Sequence, residues 1–69
     1  MNIVVNLDMM LVKRKVKLQD LAAAIDIAPP NLSILKTGKA KAIRFSTLEK
    51  ICDFLDCQPG DILEFKKDD

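Results

Sequence analysis

Leu18, Leu21, Ala22 and Ile25 recur at i, i+3, i+4 and i+7, one apolar stripe on a short amphipathic helix of about 18–25. The pattern breaks at Asp26 to Ala28 and resumes with Leu32 and Leu35, inward-facing positions of a helix from Pro29 to about Thr37. Pro29 and Pro30 suit its first positions, where a missing N–H removes no helical bond. Gly38 follows as a residue able to take positive φ and end it. Two small helices joined by a few residues describe a helix-turn-helix unit, with Ala22 small enough to allow a close crossing. An ordinary helical hairpin in a small bundle fits the same spacing.

The flanking segments carry their own patterns. Ile3, Val4 and Val5 are β-branched and favour a short strand within residues 1–5. Asn6 suits an N-cap for a helix of about 7–15, with Leu7, Met10 and Leu11 inward and Asp8 complementing the helix dipole. Lys39 to Phe45 reads as a basic connection, with Ile43 and Phe45 as anchors to the core. Ser46 and Glu49 have capping-box spacing ahead of Leu48, Ile51, Cys52 and Leu55, predicting a helix of about 46–55. Pro59 starts a last single turn, and Glu64 to Lys66 are placed to pair with residues 2–5. The tail KKDD is polar and expected to fray.

Sixty-nine residues with a hydrophobic fraction of 49% support one domain over 1–69, its core about 7–65. No apolar run approaches the roughly 18 residues that span a membrane. The start, MNIVVNLDMML, lacks a signal peptide's basic leader and puts Asp8 in the apolar part, so a cytoplasmic location is expected. Cys52 and Cys57 lack the spacing of a redox or zinc pair, and the chain has no histidine. Cys52 reads as a small buried hydrophobe, Cys57 as partly exposed, and both as reduced thiols. With no activated nucleophile, metal set or cofactor motif, an enzyme is not expected, nor a small-molecule ligand.

Net charge is only +1, but its distribution is uneven. Residues 13–50 hold nine basic side chains against three acidic ones, whereas the flanks hold two against seven. A basic central segment with acidic flanks is what a nucleic-acid module would carry, although a merely solvated surface has the same composition.

Taken together, LQDLA (18–22), Ile27, LSILKTGK (32–39), IRFSTLEKICDFLDC (43–57) and QPGDILEF (58–65) resemble the Cro and phage-repressor type of helix-turn-helix proteins, the XRE family. The likeness is to small, single-domain bacterial members. It implies an all-α, five-helix lambda-repressor-like fold acting as a DNA-binding transcriptional regulator, a repressor or regulator of a nearby operon. The helix at 29–36 would enter the major groove of double-stranded DNA while 18–25 brace the backbone. By position, Pro29, Pro30, Asn31, Ser33 and Ile34 would face base edges. Thr37, Lys39, Lys41, Arg44, Ser46 and Thr47 would meet phosphates. A homodimer would pair two such helices across a two-fold axis.

This chain departs from the family at three points. Leu18 stands where a polar phosphate-clamping residue is common, leaving Lys17 or Gln19 to substitute. Ala28 stands in place of a capping serine or threonine. Pro29 and Pro30 offer no side-chain hydrogen bond, so direct readout falls on Asn31 and Ser33. Two rival functions keep the same fold. One is an antitoxin that binds its own promoter; the other is a protein-binding regulatory module without DNA specificity.

Overall fold

The computed structural model of the protein describes residues 2–67. In chain order the elements are β1 (Asn2–Val5), α1 (Leu7–Arg14), α2 (Leu18–Ala24), α3 (Pro29–Lys36), α4 (Phe45–Leu55), α5 (Pro59–Ile62) and β2 (Leu63–Lys66). This is the expected five-helix arrangement with a small sheet. Met1 of the expected strand, and Asp68 and Asp69 of the tail expected to fray, lie outside the described residues.

One apolar core joins all five helices. Leu7, Met10 and Leu11 come from α1, Leu21 and Ala22 from α2 with Ile25 just after it, and Leu32 and Leu35 from α3. Leu48, Ile51 and Leu55 of α4 and Ile62 of α5 complete it. Every position assigned inward from the α2 and α3 patterns is therefore buried or packed against the core, Leu18 only partly so. Ala22 is 1% exposed, consistent with the close α2–α3 crossing that its small side chain allows. Among the described residues no buried side chain is polar or charged, so apolar burial holds these elements together.

The termini close on each other. β1 and β2 pair antiparallel in the register Asn2↔Lys66, Ile3↔Phe65, Val4↔Glu64 and Val5↔Leu63. The Asn6 N–H donates to the Ile62 carbonyl at 2.7 Å, tying the start of α1 to the end of α5. Asn6 occupies the N-cap position of α1, but its side chain makes no cap. Its Nδ2 instead donates to Glu64 Oε1 at 3.1 Å, because β2 brings that carboxylate within reach.

Four helices end by the same device. At α3, the Gly38 N–H donates to the Leu35 carbonyl and the Lys39 N–H to the Ile34 carbonyl, both at 3.1 Å, with Gly38 at φ 77°. These paired bonds form a Schellman turn. Lys15, Asp26 and Asp56 take the same left-handed position after α1, α2 and α4, at φ 56°, 58° and 51°. Only α3 uses the glycine that a sequence reader looks for.

Three expectations at α4 are corrected. The helix begins at Phe45, with Arg44 as the N-cap residue and no side-chain cap bond, so Ser46 and Glu49 do not form a capping box. Starting one residue early places Ser46 inside the first turn, where its hydroxyl is no longer at the cap. Phe45 is 82% exposed and is no anchor. Only Ile43 of that pair packs against the core. Cys52 is half-buried rather than buried, since it lies at the border of the α4 stripe.

Candidate nucleic-acid interface

The outer face of α3 is where the sequence reading placed base recognition. Leu32 and Leu35 are buried, which turns Pro29, Pro30, Asn31 and Ile34 outward; all four are exposed, and Ser33 is half-exposed. The prolines shape this end of the helix. They carry no N–H, and the Asn31 and Leu32 N–H groups donate to the Ala28 carbonyl at 3.0 and 3.2 Å. The start of α3 therefore offers a ligand apolar ring surface and the Asn31 amide rather than free backbone donors.

Backbone donors remain at other helix starts, and two of these have a cation at the cap position. α2 begins after Lys17 and α4 after Arg44, each without a side-chain cap. The first N–H groups of an uncapped helix carry partial positive charge and point outward, a ready site for an anion. A cation stands at the cap position of each, both exposed. This pairing of an uncapped helix start with a long basic side chain suits phosphate, and Ser46 and Thr47 in the first turn of α4 add hydroxyls to it.

These groups gather at the two ends of α3. At its first turn, Asn31 shares a shallow depression with Ile27, Ile43, Arg44 and Thr47. At its last turn, Lys36 borders a second depression with Lys15, Lys17 and Leu18. Exposed apolar and small polar groups thus stand between Arg44 at one end and Lys15, Lys17 and Lys36, with Asp8 among them, at the other. Lys39 and Lys41 are exposed on the connection from α3 to α4, with Lys41 beside Ala40 and Ile43. Gln19 is exposed in the first turn of α2, next to Lys17.

Three residues change standing once geometry is in hand. Lys36 was not among the expected phosphate contacts, although it is the last-turn cation of α3; the fold places it around one depression with Lys15 and Lys17. Thr37 was assigned to phosphate, but its hydroxyl lies 3.1 Å from the Ser33 carbonyl and 3.2 Å from that of Ile34, donating back into α3. Its oxygen can still accept, yet a phosphate needs a donor. Arg14, counted in the basic surplus, is committed elsewhere. Its Nε donates to the Leu55 carbonyl at 2.7 Å and its Nη2 to the Asp56 carbonyl at 3.0 Å, capping the C-terminus of α4.

Among the described residues no group of three or more His, Cys, Asp or Glu side chains is placed to hold a metal ion. Nor is any helix there long and apolar enough to cross a membrane. The chain matches the family model of the Cro/C1-type HTH DNA-binding domain over residues 6–68. It is also similar to a protein of Bacillus subtilis (strain 168) named "Uncharacterized HTH-type transcriptional regulator YozG", 58% identical over 69 residues, which covers all of this chain and 82% of that relative. Fold, helix order and the match across almost the whole chain agree, and this protein belongs to the Cro/C1-type helix-turn-helix family.

Proposed function

We propose that this protein is a transcriptional regulator that binds double-stranded DNA by laying α3 in the major groove. The supporting observation is the composition of that helix's surroundings. Its outward Pro29, Pro30, Asn31 and Ile34 stand between Lys17 and Lys36 at one end and Arg44 and Thr47 at the other. Cations and helix starts hold phosphates without reading sequence, and short side chains between them read base edges.

The roles divide accordingly. Asn31 supplies the bidentate amide that suits adenine, Ser33 a second polar contact, and Pro30 and Ile34 apolar contact with thymine methyls. Lys17, Gln19, Lys39, Lys41, Arg44, Ser46 and Thr47 hold the backbone, joined by Lys36. The protein works as a homodimer in the cytoplasm, with no cofactor and no catalytic step.

A gel-shift titration with DNA from immediately upstream of the protein's own gene, against a shuffled duplex and across a salt series, tests this reading. The expected result is preference for the native duplex and an affinity that falls linearly in log–log form with salt. Equal and salt-insensitive affinity for both duplexes overturns it in favour of a protein-binding role.

A further inference from the structure

Cys52 and Cys57 are both free thiols, and both line an open apolar groove with Phe45, Leu48, Asp53 and Pro59. How α4 ends brings them together. Asp56 turns the chain at φ 51°, and the Cys57 N–H donates to the Cys52 carbonyl at 3.0 Å. That bond makes Cys52 and Cys57 the two residues of a Schellman turn whose side chains regularly touch. Helices commonly place two apolar groups there, and here both are thiols.

The backbone bond also limits their separation. Covalent lengths on either side of a 3.0 Å N···O contact keep the two Cα atoms within about 6.9 Å. Disulfides span Cα separations of about 4.4–6.8 Å. The five-residue spacing hides this pairing from rules built on shorter cysteine motifs.

We propose that Cys52 and Cys57 form a reversible intramolecular disulfide, an oxidation site at the turn between α4 and α5. The oxidant is a low-molecular-weight disulfide such as oxidised glutathione. One protein thiol loses its proton and attacks a sulfur of the oxidant, and the departing thiolate takes up that proton. The second cysteine then attacks the protein sulfur of the mixed disulfide, closing the Cys52–Cys57 bond and releasing a second small thiol. Two protein thiols are oxidised and one small disulfide is reduced to two thiols.

Burial pushes the Cys57 thiol above its ordinary value, the Cys52 thiol and Asp61 push the same way, and Arg14 opposes them. Both steps need a thiolate, so closure accelerates as pH rises. The closed loop encloses Leu55 and Asp56, whose carbonyls Arg14 holds, so oxidation acts where α1 and α4 are joined.

Intact-mass spectrometry of the reduced full-length chain, acid-quenched after exposure to oxidised glutathione, tests the proposal. The wild type is expected to lose two hydrogens as a monomer without accumulating glutathione. Cys52→Ala and Cys57→Ala are expected to accumulate one glutathione each. Closure of the wild-type mixed disulfide is expected to be at least about tenfold faster in the folded protein than in concentrated urea, because the turn holds the thiols together. Glutathione on both wild-type cysteines, disulfides only between chains, or equal closure rates folded and unfolded would each overturn it.

Discussion

Arg14 shows how a single side chain can be misread from charge alone. It sits in a run of cations, Lys13 to Lys15, yet its guanidinium satisfies two carbonyls at the end of α4 and complements the negative end of that helix. Replacing it with alanine leaves those carbonyls to water and unties α1 from α4. Arg14→Ala is expected to lower stability by about 1.5 kcal/mol while leaving the salt dependence of DNA binding unchanged. Urea denaturation and a binding isotherm measure the two effects separately, and a lost phosphate contact with intact stability would contradict this role. Asn31 is the opposite case: its side chain is exposed and makes no hydrogen bond among the described residues. Asn31→Ala should fold normally and relax discrimination at one base position by roughly 1 to 3 kcal/mol. Site selection from a random duplex pool reads this directly. Identical selected sites would move recognition to Ser33 or to DNA shape.

At the scale of elements, helix ends decide more than helix interiors. Gly38 lies at φ 77°, and a Cβ there would meet nothing within 4 Å. The cost of Gly38→Ala is therefore backbone strain alone, about 1 kcal/mol by thermal denaturation. Lys15 pays that strain already, so Lys15→Gly is expected to stabilise the fold by roughly 0.5 kcal/mol once glycine's extra chain entropy is deducted. A destabilised Lys15→Gly would mean that the lysine stem packs more usefully than the left-handed backbone costs. These ends also mark the limit of what the sequence made legible. The inward stripes of α1 to α4 were readable because their periodicity is imposed by one shared core. Phe45 was not, since apolar character says nothing about direction when the helix starts one residue earlier than its capping pattern suggests. Of the candidate site, the exposed face of α3 followed from its buried face. That Lys36 and Lys17 line one depression needed the α1–α2–α3 packing, and the engagement of the Thr37 hydroxyl with its own helix needed a rotamer.

The start of α4 is the element on which the phosphate reading depends most. Its N-cap residue is a cation rather than a short oxygen-bearing side chain, so its first N–H groups are not satisfied by the helix's own cap. Arg44→Ala should weaken binding to every duplex alike and reduce the salt slope by about 0.9 for one lost phosphate contact. Lys41→Ala should do the same, and the two losses should add where the contacts are independent. If neither variant changes affinity, the connection and the start of α4 lie outside the interface, and recognition rests on α2 and α3 alone.

For the whole molecule the question is how one eight-residue helix achieves specificity. Two copies related by a two-fold axis would present two α3 helices to half-sites about 34 Å apart. The small sheet has a surface that would suit that pairing. Val5 and Leu63 face each other and pack against the core, while Ile3 and Phe65, directly opposite one another and two residues farther out, are 65% and 55% exposed. Residues two apart in a strand share a face. The core-facing side of the sheet thus carries an apolar pair beyond the edge of its own core, and among the described residues no further strand pairs with either outer edge. The Ile3→Ser, Phe65→Ser double variant is expected to bind a two-half-site duplex as one copy where the wild type binds as two, with affinity for a single half-site unchanged. Phe45→Ser, which removes the most exposed aromatic without touching the sheet, is expected to retain two copies. Sedimentation of each protein with the duplex distinguishes them. A wild type that remains one per duplex removes the dimer, and the reverse order of the variants moves the interface from the sheet to α4.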